Sequence, residues 1–208
     1  MNSLRISIFS LGIGAILLSG CAKYGAQPLN RLVTCVSNKK EPLIAFAYKA
    51  LDKADCKRFL DRDVLAKGYQ PVQITFTNNT NRYMNFSKAN ISIPCVSAAE
   101  IAHKVHTSTV ARATSYGVAS IVFFPLTWPL AIPAVVDGVK SSQANQKLDE
   151  DFSRKELCDQ VVSPFNTING LIFVPVEKFD PEFKITLVDA DNHDQFTLTT
   201  GKPSLKIK

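Results

Sequence analysis

Histidine is scarce in this chain, with only His103, His106 and His193 in 208 residues. A Ser/His/Asp or Cys/His site therefore has few bases to draw on. The Gly-x-Ser-x-Gly elbow, the phosphate-binding glycine loop and His-Glu-x-x-His are all missing. No Cys-x-x-Cys occurs among the five cysteines, and their spacings fit no zinc pattern. Lys and Arg number 24 against 18 Asp and Glu, a formal charge of +6. Those basic residues form no dense cluster interleaved with aromatics, so nucleic acid is not an expected partner. Enzymatic chemistry and a cofactor are not expected either.

What the chain does have begins at its start. Residues 1–20 carry one charge, Arg5, and residues 6–18 are apolar apart from small residues and Ser10. A cationic start followed by a short apolar core reads as an export signal rather than a spanning helix. The segment closes on Leu18-Ser19-Gly20-Cys21, which resembles the lipobox of bacterial lipoproteins. The resemblance covers those residues alone and implies cleavage before Cys21, a diacylglycerol thioether on its sulfur and acylation of the new amine. A thiol is needed because the thiolate is the nucleophile that takes the lipid. Each buried CH₂ contributes ~0.8 kcal/mol, so several chains anchor stably where one is marginal. Ala22, in place of Asp, implies by the same resemblance an outer-membrane protein facing the periplasm, with surface exposure left open.

Loss of residues 1–20 leaves 188 residues at a formal charge of +5, enough for one sizeable core or two small ones. A mildly basic chain suits anionic lipid or peptidoglycan nearby. Four cysteines remain besides Cys21: Cys35, Cys56, Cys95 and Cys158. An even set in an oxidising compartment suggests disulfides. Four cysteines allow three pairings and the sequence does not choose among them; Cys35–Cys56 with Cys95–Cys158 is the one taken forward, since its second bridge would tie the ends of an inserted segment.

Residues 21–40 are polar and aperiodic and read as a tether. Residues 43–48 form a short apolar run suited to a buried strand, and residues 52–67 a helix stopped by Gly68. Val72, Ile74 and Phe76 alternate with Gln73, Thr75 and Thr77, the period of a half-buried strand. Further strands are expected at 83–87, 90–93, 171–176, 183–187 and 196–198, with turns at 78–81 and 189–194. Short strands joined by turn chemistry predict an α+β chain built mainly as an antiparallel β-sandwich, immunoglobulin-like, of about seven strands.

Residues 97–162 interrupt that pattern within a single domain at 41–208. Ser97 with Glu100 caps a helix expected to run to about residue 124, some 40 Å at about 1.5 Å per residue. A second helix is expected from near Pro133, at home in a first helical turn, to about Cys158. Pro125, Pro129 and Pro133 forbid a regular helix between them. Small residues at four-residue intervals, Ala111, Ser115 and Ala119, then Ala134, Gly138 and Ser142, would let two arms approach closely. The reading is a long inserted helical hairpin with an apolar tip at Phe123, Phe124, Leu126, Trp128, Leu130 and Ile132. The tip belongs to a charge-free window at 117–136 of membrane-spanning length. It is expected to pack on the sandwich, to contact membrane, or to seat on a protein partner in the cell envelope.

Two polar groupings compete with that reading. Glu100, His103 and His106 would share a helical face beside Asp149, Glu150 and Asp151; a solvated polar face is the favoured reading, and the alternative is a metal site in a metal-dependent enzyme or metal-binding protein. Asp189, Asp191, Asn192 and Asp194 suggest a calcium loop but lack its glycine and distal glutamate, so a hairpin turn is favoured.

Overall fold

The computed structural model describes residues 23–33, 35–36, 43–106 and 131–200, with the side chains of 35–36 and 131–141 outside that description. The described strands are β1 (Cys35–Val36), β2 (Ile44–Ala50), β3 (Tyr69–Asn78), β4 (Met84–Phe86), β5 (Gln160–Val162), β6 (Thr167–Pro175), β7 (Lys184–Asp189) and β8 (Gln195–Thr199). The described helices are α1 (Lys53–Leu60), α2 (Ala98–Lys104) and α3 (Ala131–Lys155). By contacts the chain divides into two units: 1–25 with 106–148, and 26–105 with 149–208. The second unit holds both sheets.

The class is α+β with two antiparallel sheets, ordered β1-β2-β3-β6 and β5-β4-β7-β8. Val72, Ile74 and Phe76 of β3 share one core with Met84, Phe86, Ile185, Leu187 and Leu198 of the other sheet. The Phe76 and Phe86 rings meet at 5.4 Å. Each such buried side chain contributes about 1.5–3 kcal/mol of hydrophobic free energy.

The first sheet is buried on its other face too. Ile172 and Val174 belong to the inter-sheet core, whereas Leu171 and Phe173, equally buried, point away from it by strand alternation. Phe152 of α3 stacks on Phe173 at 5.8 Å, nearly parallel. Phe59 and Leu60 of α1 and Ile101 and Ala102 of α2 are buried outside the inter-sheet core. Gln73 and Thr75, expected in solvent, are 2% and 1% exposed.

Several boundaries differ from the sequence reading. Helix α1 starts at Asp52, which forms a capping box with Asp55, but ends at Asp61 in a left-handed conformation rather than at Gly68. A separate 3-10 turn, Leu65–Lys67, precedes Gly68, whose φ of +83° suits glycine. The expected strand at 90–93 is a 3-10 turn and an isolated bridge, Ile91 to Ile185, although Ile91 and Ile93 are both buried.

Helix α2 has the predicted Ser97 cap but stops at Lys104 instead of running to about 124. Residues 107–124 of the expected helix lie outside the described residues. Helix α3 begins at Ala131, so Pro133 falls in its first turn, where backbone N–H groups have no helical partner. Ala144, Leu148, Phe152 and Lys155 recur on one face and are all buried. The helix ends at Lys155, three residues before Cys158, because Glu156 and Leu157 pair with β6 instead. Residues 160–162, read as part of the insertion, form β5 beside β4.

Candidate functional site

The first constellation is built where the chain enters the sheet domain. Helix α1 ends with carbonyls that lack an intrahelical donor. Gln27 N donates to the Arg58 carbonyl at 2.9 Å, and Lys155 Nζ donates to the Phe59 carbonyl at 2.6 Å. One helix end thus fixes both the N-terminal segment and α3. Arg58 Nε returns a bond to Gln27 Oε1 at 2.7 Å. Lys155 is only 8% exposed, and Asp151 at 2.6 Å, one turn back on α3, supplies its counter-charge.

Beyond Gln27 the segment lies on the outer face of β3. Gln73 Nε2 donates to the Asn30 carbonyl at 2.6 Å and to Asn169 Oδ1 at 2.8 Å. Thr75 Oγ1 donates to the same Asn169 oxygen at 2.6 Å and accepts from Leu32 N at 3.3 Å. Residues 26–33, read as tether, are therefore a docked strap. Its hydrogen bonds satisfy the polar groups that the strap itself covers, which removes the penalty of burying them. A groove of about 340 Å³ runs between the strap residues Ala26, Pro28 and Leu29 and the α3 residues Asp151, Arg154 and Lys155, with Asn169 at its floor.

The second constellation is the foot of the insertion. Val96 N donates to the Phe173 carbonyl and Leu157 N to the Leu171 carbonyl, both at 2.8 Å. The two ends of the insertion thus pair with β6 at positions two residues apart. Lys88 Nζ meets Glu156 Oε1 at 2.7 Å, while Asp159 accepts from Lys88 N at 2.8 Å and Ser87 Oγ at 2.7 Å. Burial opposes the charge on Lys88, but the Glu156 carboxylate outweighs it and the ammonium pKa is raised. The Lys88 amide and then the Ser87 hydroxyl hold the Asp159 carboxyl below its ordinary value. Beside this foot, Lys88, Ala89 and residues Ile91 to Cys95 line an open groove of about 490 Å³.

Cys56, Cys95 and Cys158 are free thiols, so neither expected bridge, Cys35–Cys56 or Cys95–Cys158, is formed. Burial pushes the Cys56 thiol up to about 11, helped by Asp63, Asp55 and Asp52. Burial likewise pushes Cys95 up to about 11. Cys158 is exposed. The sequence shows an even number of thiols but not the distances and directions that a disulfide requires.

The structure does not bring Glu100, His103 and His106 onto one helical face. Glu100 and His103 lie on α2, but the helix ends before His106. The Glu100 carboxylate accepts from Lys104 Nζ at 2.7 Å and from the Tyr69 hydroxyl at 3.4 Å. The Lys104 bond comes first in holding Glu100 below its ordinary carboxylate range. Lys104 also donates to the Tyr69 hydroxyl. Of the acidic run, Asp151 serves Lys155 and Glu150 lies 3.9 Å from Arg154. Among the described residues, no group of three or more His, Cys, Asp or Glu could hold a metal ion.

The acidic stretch at 189–194 is the β7–β8 turn. Asp189 is fully buried and accepts from Asp191 N at 2.9 Å, Asn192 N at 3.3 Å and Arg82 Nη1 at 3.1 Å. The Asp191 amide is the largest influence holding its carboxyl below the ordinary value, with Arg82 and the Asn192 amide adding to it.

Cys21, Phe123, Phe124, Leu126, Trp128 and Leu130 lie outside the described residues, and Ile132 is described in its backbone only, within α3. No helix among the described residues is long and apolar enough to cross a membrane. The strap contacts and buried Lys155 were missed from sequence; a signal lay in Gln73 and Asn169, polar residues inside strands. Compared with known proteins, the chain matches no protein-family model, no curated protein and no solved structure.

Proposed function

We propose that the chain is a bacterial outer-membrane lipoprotein without enzymatic activity, anchored through acylated Cys21 and facing the periplasm. Its role is structural or in envelope assembly. The apolar stretch at 123–133 makes the functional contact, with a protein partner in the envelope or with the membrane. The strap supports this reading: residues from Gln27 onward are hydrogen-bonded to the domain, so acyl chains on Cys21 would hold the domain through only a few intervening residues. The two ends of the insertion are held against β6 beside Lys88 and Asp159, which fixes the points where the chain leaves and rejoins the sheet.

The domain itself is an immunoglobulin-like sandwich in this reading. With the two-residue edge strand β1 set aside, the orders β2-β3-β6 and β5-β4-β7-β8 support it, because they correspond to the A-B-E and C′-C-F-G sheets of that architecture. The insertion then lies between the third and fourth strands of the sandwich.

The test replaces Phe124 and Trp128 together with Ser in the intact lipoprotein. Capture of envelope partners from detergent-solubilised membranes and flotation with liposomes are measured, with circular dichroism as the check on folding. Loss of either interaction by a folded variant is expected. Unchanged capture and flotation would remove 123–133 as the contact, and an unfolded variant would mark the tip as core.

A further inference from the structure

We infer that the face carrying Arg58 and Arg154 is the face this domain turns toward the bilayer, with anionic lipid headgroups as its partner. The inference rests on acylation of Cys21. Gln27 is bonded to Arg58, and Ala26 lies in the groove beside Arg154, so the chain leaves the domain between these two arginines. Only residues 22–25 separate that exit from Cys21. Five residue steps of fully extended chain span at most about 18 Å. A compact unit of about 140 residues measures roughly 37 Å across, taken from its expected radius of gyration. The exit point therefore rises no more than about half a diameter above the lipid, and the opposite half of the surface cannot reach it.

Chemistry at the exit suits the location. The Arg154 side chain is 74% exposed, and its carboxylate neighbour Glu150 stands off at 3.9 Å. The Arg58 guanidinium lies over the Phe59 ring at 5.1 Å and commits its Nε to Gln27, which holds the group in place at the surface. Guanidinium groups bind phosphate oxygens with paired N–H donors, and an already ordered one loses less freedom on binding. Charge and tether length thus point to the same face.

The test uses the full acylated lipoprotein reconstituted into vesicles, with benzoylphenylalanine placed at position 28 or at position 197; Pro28 is exposed and lines the groove with Arg154, so both arginines are kept. Thr197 is exposed on β8, and its neighbour Leu198 faces the core, so position 197 looks outward from the other sheet. Lipid cross-linking is expected to be several-fold greater from 28 than from 197, and greater in vesicles containing phosphatidylglycerol than in purely zwitterionic ones. The difference is expected to close when a flexible Gly/Ser linker of about 20 residues is inserted between Ala22 and Lys23. Equal cross-linking from both positions, or a difference that survives the linker, would overturn the inference. Indifference to phosphatidylglycerol would overturn the choice of anionic headgroups. If mass spectrometry finds Cys21 unacylated, the anchoring reading falls and takes this one with it; acylated protein with equal cross-links sinks the orientation alone.

Discussion

Gln27 and Arg58 hold each other twice, backbone amide to backbone carbonyl at 2.9 Å and guanidinium Nε to amide oxygen at 2.7 Å. The first bond fills a carbonyl that the end of α1 leaves open, and the second fixes the arginine on the strap. Sequence places these residues 31 positions apart, one in an apparent linker and one on a helix. Together they turn residues 26–33 from a spacer into part of the fold.

The strap depends on Gln73, whose single amide nitrogen serves both Asn30 and Asn169. Gln73→Leu keeps the volume but leaves the Asn30 carbonyl without that donor. A loss of about 1–3 kcal/mol in unfolding free energy is expected. Limited proteolysis within residues 23–33 should accelerate in the same variant. Unchanged cleavage would mean that the strap is held without this contact.

Gly170 is the point where the chain leaving α3 crosses β6. A Cβ built there would lie 3.0 Å from Leu157 N and 3.1 Å from Leu157 Cα, and backbone atoms cannot swing aside as a flexible side chain can. Gly170→Ala should therefore push the foot of the insertion away from the sheet and cost about 1–3 kcal/mol. Chemical denaturation measures it, and a neutral or stabilising result would contradict the close approach.

Asp189 gives a pH signature with a defined sign. Its folded pKa is depressed, so its contribution is present above the ordinary carboxylate value of about 3.9 and is lost as pH falls through the folded value. Arg82→Met removes one bond and one positive charge from the buried carboxylate. The variant should be less stable than the parent near neutral pH, and the gap should narrow below about pH 4. Urea unfolding across that range decides it; a gap constant with pH would mean that Arg82 acts through packing alone.

The thiols differ in reactivity. Cys158 is exposed, whereas burial pushes Cys56 and Cys95 each up to about 11. The thiolate is the reactive form, so an alkylating reagent near pH 8 should label Cys158 well before the other two. Peptide mapping of the reduced protein gives the order. Early labelling of Cys56 would show that α1 opens more readily than its buried face suggests.

The sheets were legible because Val72, Ile74 and Phe76 in β3 and Phe183, Ile185 and Leu187 at β7 recur at every second position, and that period survives any arrangement of neighbours. What covers the outer face of β3 was not legible. Gln73 and Thr75 show the same period whether they meet water or a strap with its own donors and acceptors. The cover comes from residues 43 positions upstream, beyond the reach of a local pattern. Helix α2 shows the opposite difficulty: Ser97 announces its start clearly, but nothing comparable marks its end at Lys104. Strand β5 went unread because it has three residues and only Val162 is buried. Lys155 was invisible for a different reason, since a buried lysine is recognised by the carbonyl it reaches, here that of Phe59.

The account stands most directly on the chemistry of Cys21. Mass spectrometry of the mature N-terminal peptide, taken from the protein exported in a Gram-negative host, measures it. The account predicts a chain that starts at Cys21 and carries diacylglycerol on sulfur and a fatty acyl group on the amine. A chain cut elsewhere, or one beginning with an unmodified Cys21, would contradict it.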